Sequence, residues 1–134
     1  MVAWINFFRN LAELPAPIKD PGDLGRWGEA RAERFLLGKN YRILERNYRH
    51  GQLELDLIAE KSGDLYFVEV KTRGPKSLTA PAEAIDDRKR AALKRAGRVY
   101  MQAFASPKIN CHFLFFGYQV ETDGTVVEEV EEIT

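Results

Sequence analysis

The sequence predicts an α/β fold in which helices flank a mixed central sheet. An amphipathic helical pattern comes first, three strand-like segments follow, and a second long helix precedes another strand, giving the order α-β-β-β-α-β. Clustered strands with helices beside them are typical of an α/β sandwich. The 134 residues, 45% hydrophobic and 30% charged, fit one globular domain.

Residues 1–20 are predicted to form an amphipathic arm and a linker. Apolar residues recur there near helical spacing until Pro15 and Pro17 interrupt the pattern. We expect the arm to pack on its own domain or on a second subunit rather than on a membrane. Residues 121–134 are predicted to be an acidic strand or tail, which leaves 21–120 as the central domain.

Within the central domain, Asp23 is the candidate N-cap of the first helix and Gly38 its stop. The predicted elements are a helix at 24–37, strands at 40–49, 53–59, 65–73 and 110–120, a loop at 74–85, and a helix from 81 or 84 to 105.

Several classes of protein are excluded by composition. The single cysteine, Cys111, and two histidines exclude a disulfide framework and a Cys/His zinc cluster. The longest run without a charged residue, 109–120, is too short to span a membrane. The N-terminus lacks the basic region of a signal peptide, so we expect a reducing, cytoplasmic setting.

The net charge of zero conceals an asymmetry along the chain. Residues 21–110 carry 18 Lys and Arg against 12 Asp and Glu, whereas 111–134 carry six acidic residues and no Lys or Arg. A basic body with an acidic end suits a polyanionic ligand. The signal is weak by itself, because a modest basic excess is common.

A β-hairpin is predicted over LELDLIAEKSGDLYFVEVKTR, residues 53–73. Ser62-Gly63 is a suitable two-residue turn, because glycine tolerates positive φ. That turn places Asp56 opposite Glu69. A four-residue loop would keep the same register, and a three-residue loop would change it.

Side chains alternate between the two faces of a strand, so this register sorts the hairpin residues. Four ionisable side chains would share one face with Ile58 and Phe67: Glu54, Asp56, Glu69 and Lys71. The other face would be an apolar core of Leu53, Leu55, Leu57, Ala59, Tyr66, Val68 and Val70.

The ionisable face has two interpretations. Glu54 opposite Lys71 is an ordinary cross-strand pair of an exposed sheet. Asp56 opposite Glu69 is destabilising unless a cation lies between them, and Mg²⁺ prefers carboxylate ligands. Glu29 lies on an apolar line of the first helix, which suggests a paired or metal-bound carboxylate, although a helix N-terminus also favours Glu.

These residues resemble a known nuclease signature. Asp56 followed on the next strand by Glu69-Val70-Lys71 resembles the PD-(D/E)xK motif of the restriction-endonuclease-like superfamily. The flanks GRWGEARAERFLLGKNYRILERNYR, LELDLIA, LYFVEVKTR and AIDDRKRAALKRAGRVYM resemble the YraN family of predicted endonucleases, which is similar to archaeal Holliday-junction resolvases. The resemblance covers residues 25–120.

The resemblance implies a restriction-endonuclease-like core and a catalytic quartet, listed here by role. Asp56 and Glu69 match the metal-binding acids, Lys71 the catalytic lysine, and Glu29 the helix glutamate. The implied cofactor is Mg²⁺ or Mn²⁺, and Glu54 is the expected partner of Lys71.

Two positions depart from the family pattern. Leu53 replaces a glycine before the second strand's Glu-x-Asp, which bears on packing. His112-Phe113-Leu114 replaces Arg-Phe-Asp in the last core strand, which removes an acid and an arginine from a local contact.

Phosphate contacts are predicted around the hairpin ends. Arg49, Arg73 and Lys76 flank the hairpin, and Lys89 falls beside the apolar line of the long helix. Such contacts position DNA without reading its sequence. We interpret Arg90, Lys94 and Arg98 of that helix as a solvated face.

Three functions are compatible with the sequence. The first is a metal-dependent endonuclease acting on DNA, with branched or flapped DNA as candidate substrates. The second is a nucleic-acid-binding module of the same fold that does not cleave, and the third is a structural or assembly protein. A resolvase-like activity would require a two-fold homodimer to make paired cuts.

Overall fold

Six strands form one mixed sheet in the computed structural model, which describes residues 5–10 (main chain), 21–104 and 108–133. The elements are β1 (Ile5–Asn10), α1 (Pro21–Gly38), β2 (Arg42–His50), β3 (Leu53–Lys61), β4 (Asp64–Arg73), a 3-10 turn (Pro81–Ala84), α2 (Asp87–Phe104), β5 (Cys111–Val120) and β6 (Val126–Ile133). The predicted α-β-β-β-α-β core is confirmed, and it is restriction-endonuclease-like.

The strands follow the order β1-β6-β5-β4-β3-β2 across the sheet. β4 and β5 run parallel, and every other neighbouring pair is antiparallel. Parallel neighbours need a long crossover, which α2 supplies between β4 and β5. α2 covers one face of the sheet and α1 covers the other.

An apolar cluster lies under each helix. The α1-side cluster contains Ala32, Leu36, Leu57, Ala59, Val68, Val70, Leu114, Phe116, Tyr118, Val120, Val126 and Val130. The α2-side cluster contains Leu55, Ile58, Leu65, Phe67, Leu93, Ala96, Tyr100, Phe115 and Ile133. Burying each large apolar side chain contributes about 1.5–3 kcal/mol, so these clusters fix the helices on the sheet.

The N-terminal segment differs from the helical prediction. Ile5–Asn10 pairs antiparallel with β6, from Ile5 opposite Glu131 to Asn10 opposite Val126. Without β1, β6 would be an edge strand with unpaired N–H and C=O groups. The segment Ile5–Asn10 pairs with these groups, and this pairing is not visible in the local helical spacing. The remaining arm and linker residues lie outside the described part of the chain.

Two predictions about the helices are wrong in detail. α1 includes Pro21, so Asp23 lies in its first turn and pairs with Arg26 rather than capping the helix. The spacing of apolar residues predicts a buried line of Ile85, Ala92, Ala96, Val99 and Ala103 on α2, whereas the buried residues are Leu93, Ala96, Gly97 and Tyr100, so only Ala96 is common to both. The line is shifted because Gly97 packs directly against the Phe113 ring, which a Cβ would approach to 3.0 Å. No helix in the described part of the chain is long and apolar enough to cross a membrane.

Candidate active site

The hairpin that carries the candidate acids forms with the predicted turn. Ser62 and Gly63 both have positive φ, 52° and 84°, as a type I′ turn requires. The pairing runs from Lys61 opposite Asp64 to Leu57 opposite Val68. This is the predicted register, and its next position is Asp56 with Glu69.

The ladder ends at that position. The Asp56 carboxylate accepts a hydrogen bond of 2.7 Å from the Val70 main-chain N–H through Oδ2. In a regular ladder this N–H would bond to the carbonyl of Leu55, because 57–68 and 55–70 are both hydrogen-bonded pairs. The Asp56 side chain thus lies between β3 and β4 and replaces a ladder bond.

The face assignment from alternation is consequently wrong beyond Leu57. Leu57 packs in the α1-side cluster, but Leu55, two residues away, packs in the α2-side cluster. Leu53 also packs against the α2-side cluster. In the neighbouring strand, Asn47 stands opposite Asp56 and has a positive φ of 51°. Both strands are irregular at this position, so the alternation of side chains between faces, counted from the turn, does not hold there.

The charges of three further carboxylates interact with the charge of Asp56. Burial, followed by the charge of Asp56, raises the pKa of Glu69 to about 7. Burial also raises the pKa of Asp56, although the hydrogen bond from Val70 opposes the rise and Glu54 adds to it. Burial, then Asp56 and Glu54, raises the pKa of Glu29. The structure therefore brings Glu29, Glu54, Asp56 and Glu69 into one acidic site.

Glu29 reaches this site because α1 passes very close to the end of β4. A Cβ on Gly28 would lie 1.9 Å from the Thr72 hydroxyl oxygen, so only glycine permits this approach. Gly28 was not recognised from the sequence as a residue of the site. Its position directly before Glu29 was the available signal.

Lys89 is a cation in direct contact with the acidic site. Its Nζ lies 3.3 Å from Oε1 of Glu69, whose side chain is 12% exposed. Asp86 caps α2 by accepting a 2.7 Å hydrogen bond from the Lys89 N–H, which fixes the first turn of the helix beside β4. Lys89 therefore lies beside Glu69, and its role at the site stays a prediction. Asp86 was not recognised from the sequence.

The Lys71 side chain has no hydrogen bond or ion pair within the described residues. It is two residues from Glu69 in β4 and hence on the same face. The expected partner, Glu54, instead pairs with Arg49 at 3.4 Å, because these two residues stand directly opposite across β2 and β3. The Lys71 amine is left available to a ligand.

The predicted phosphate-contacting residues differ in their surroundings. Arg49 is engaged by Glu54, and Lys89 by Glu69. Arg73 ends β4 and Lys76 lies in the following loop, and neither has an ion pair within the described residues.

The donor set fits a magnesium-type ion better than a fully protein-enclosed metal. Within 21–104 and 108–133, no three Asp, Glu, His or Cys side chains are arranged to hold a metal ion. Mg²⁺ commonly uses one or two carboxylates and completes its shell with water and substrate phosphate. Two desolvated carboxylates with raised pKa values, Asp56 and Glu69, meet that requirement.

A second polar cluster lies at the turn end of β4. The His112 ring contacts Glu132 Oε1 at 2.8 Å and Asp64 Oδ2 at 3.0 Å, and it stacks on Tyr66. Leu114, where the family pattern has an acid, is buried in the α1-side cluster. The departures at 112–114 thus form a structural contact and part of the core.

Comparison with known proteins places the chain in a family. Residues 28–117 match the sequence profile described as "Uncharacterised protein family UPF0102", the YraN family. The chain belongs to this family. A UPF0102 protein of Chlorobium phaeobacteroides (strain BS1) is 47% identical over 93 residues, covering 69% of this chain and 74% of the relative.

Other relatives extend the comparison. A UPF0102 protein of Syntrophomonas wolfei is 44% identical over 81 residues, 60% of this chain and 70% of its own length. Among solved structures, Pyrococcus furiosus SfsA in complex with Ca²⁺ has a TM-score of 0.34 and 18% identity, covering 84% of this chain and 64% of SfsA. That likeness is too distant to bear on the fold or the site.

Proposed function

We propose that the protein is a Mg²⁺- or Mn²⁺-dependent endonuclease that hydrolyses DNA phosphodiester bonds, with branched or flapped DNA as the first substrates to test. The observation that carries the proposal is the buried Asp56–Glu69 pair, whose pKa values are raised. Lys71, two residues from Glu69 in β4, has no side-chain partner within the described residues. Desolvated acids with too little compensating charge favour a bound cation.

The residues of the acidic site and Lys71 have the following roles in this proposal. Asp56 and Glu69 would hold the metal ion, which supplies an acidified water and neutralises phosphoryl charge. Lys71 stabilises charge that develops on the phosphoryl oxygens, or orients the nucleophile. Glu29 shapes the second side of the acidic site, and Glu54 is held by Arg49 at its margin.

Basic residues next to the site would position the DNA backbone. Arg73 and Lys76 follow Lys71 in the chain and have no ion pair within the described residues. Lys89 would exchange Glu69 for a phosphate once a metal ion compensates that acid. A homodimer is required only if the protein makes paired cuts across a junction.

A second candidate is a nucleic-acid-binding module that does not cleave. The observation in its favour is that Lys89 already compensates Glu69, while no three potential ligands converge in the part of the chain that the structure describes. Metal titration separates the two candidates.

The first prediction separates metal binding from chemistry. Asp56→Asn should weaken Mn²⁺ binding and abolish cleavage, because the amide keeps the size of Asp but loses its charge. Lys71→Ala should leave metal binding intact or tighter and reduce cleavage by about 10²-fold or more, since it removes a charge-stabilising donor. The measurements are calorimetric Mn²⁺ titration and single-turnover cleavage of linear, flapped and four-way DNA.

Glu60→Gln is the matched control, because Glu60 is a carboxylate of the same strand that pairs with Arg42 away from the acidic site. It should leave both readouts unchanged. Equal Mn²⁺ affinity in wild type and Asp56→Asn would contradict the metal site. Normal metal binding without cleavage of any substrate would favour the binding module.

A further inference from the structure

The unpaired cations of the described chain are confined to one region. Most basic side chains of α1 and β2 have partners, for example Arg42 with Glu60 and Arg46 with Glu33. Seven Lys and Arg side chains have no hydrogen bond, ion pair or ring contact with another described residue: Lys71, Arg73, Lys76, Arg88, Lys94, Arg95 and Arg98. All seven lie between the catalytic strand β4 and the middle of α2.

Four of these seven lie on α2, and the structure shows that they point away from the core. Arg88, Lys94, Arg95 and Arg98 are exposed, while the buried side of the helix is formed by Leu93, Ala96, Gly97 and Tyr100. From 88 to 98 the helix rises about 15 Å. We call these four residues the α2 basic stripe.

The stripe begins at the acidic site. Arg88 directly precedes Lys89, whose Nζ contacts Glu69, and the Asp86 cap fixes this turn of the helix. Two acids of β6 have partners outside α2: Glu128 pairs with Arg31 of α1, and Glu132 contacts His112 of β5. Arg90, on the flank of the stripe, approaches Asp87 only at 3.9 Å.

We propose that the α2 basic stripe binds the phosphate backbone of a DNA duplex arm that extends from the cleavage site. The inference rests on the proposed function and specifies its substrate as double-stranded beside the cut. A length of about 15 Å matches about four phosphates of one strand, which are spaced about 3.4 Å apart along the duplex axis.

The absence of aromatic side chains from the stripe favours a duplex over single-stranded DNA as the ligand. Sequence-independent binding of single strands uses exposed aromatic rings on which bases stack. Between 88 and 98 the helix has no aromatic residue, and the next one, Tyr100, is buried. A row of cations without stacking surfaces contacts backbone only.

The test compares two double variants with equal charge change. Arg95→Gln/Arg98→Gln removes half of the stripe, and Arg42→Gln/Arg46→Gln removes two exposed arginines that already have acidic partners. The probe is a fluorescently labelled 20-base-pair DNA duplex in EDTA, titrated at several salt concentrations, with a single strand of equal length in parallel. Circular dichroism confirms that each variant is folded, and Arg88→Gln/Lys94→Gln repeats the test on the other half.

We expect the stripe variants to lower the slope of log affinity against log salt by about two units for the duplex, one per lost phosphate contact. The loss for the single strand should be smaller, and the β2 control should keep the wild-type slope. Equal slopes in wild type and stripe variants, or an equal loss for single strand and duplex, would overturn the stripe proposal alone. A wild-type protein that binds no DNA at low salt would overturn the proposed function as well.

Discussion

At the scale of single residues, Glu69 shows how burial and neighbours set the charge of a side chain. Burial and the nearby Asp56 raise its pKa to about 7, while Lys89 acts in the opposite direction. In the absence of a metal ion, Glu69 of the folded protein therefore keeps its proton up to about pH 7. In the unfolded chain, where a Glu pKa is about 4.3, the proton is released at lower pH. Ionised Glu69 destabilises the folded state, and a bound cation would relieve this destabilisation.

This gives a prediction with a defined sign. Because the folded-state pKa is raised, the destabilisation by Glu69 appears as pH rises from about 4.3 through 7. Glu69→Gln removes that titration, so its stability relative to wild type should be greater at pH 8 than at pH 5 by about 1–3 kcal/mol. Urea unfolding in EDTA at both pH values measures the difference.

Glu121→Gln, which changes an exposed acid after β5, controls for the altered net charge. A Glu69→Gln variant whose relative stability is the same at both pH values, or greater at pH 5, would show that Glu69 titrates as an ordinary glutamate.

At the scale of secondary-structure elements, the start of α2 links helix geometry to the acidic site. Asp86 accepts the Lys89 N–H and its carbonyl accepts the Arg90 N–H, so the first turn is closed by one residue. Four N–H groups at a helix start lack internal partners, and a side-chain cap satisfies one of them. The same turn positions the Lys89 amine against Glu69.

Asp86→Ala should accordingly destabilise the protein by about 1 kcal/mol, the usual cost of losing an N-cap. Asp86→Asn should be nearly neutral, since Asn caps as well as Asp, and this pair of variants separates capping from charge. The measurement is urea unfolding monitored by circular dichroism. Equal losses in both variants would indicate that the carboxylate charge, and not the cap, stabilises α2.

At the scale of the whole molecule, His112 connects three strands. It belongs to β5 and contacts Asp64 at the start of β4 and Glu132 near the end of β6. Burial lowers the pKa of His112, but the hydrogen bonds that the protonated ring donates to Asp64 and Glu132 outweigh it, so the pKa is raised overall. The protonated ring therefore stabilises the fold.

The expected pH dependence has the following sign. A histidine whose folded-state pKa is raised contributes stability that is complete below about pH 6.5 and is lost as pH rises through the folded-state pKa. The destabilisation caused by His112→Gln should be larger at pH 5.5 than at pH 8.5. Thermal unfolding at the two pH values tests this, and a larger effect at pH 8.5 would contradict it. Asp64→Asn should produce the same trend more weakly.

The local part of the candidate site was predictable from the sequence. Ser62-Gly63 fixes a type I′ turn, and the turn fixes the register that brings Asp56 and Glu69 to adjacent positions. Both consequences depend on residues near in sequence and on the two-residue period of a strand. The core order of helices and strands was predictable for the same reason, because each element carries its own apolar period.

Other features depend on partners distant in sequence. The strand at Ile5–Asn10 forms because β6 offers an edge, and Leu55 leaves the expected face because Asp56 takes the Val70 N–H from the ladder. Glu54 pairs with Arg49 of β2 instead of Lys71, since β2 lies on its other side.

The sequence by itself determined the order of the core elements from α1 to β5 and the hairpin turn, because short-range periodicity and turn geometry are encoded locally. Only the tertiary structure decided which cations are neutralised by another described residue and which are not. Ion pairs form across strands and helices whose neighbours are set by packing, so the side chains of β4 and α2 without such a partner are identified only in the assembled sheet.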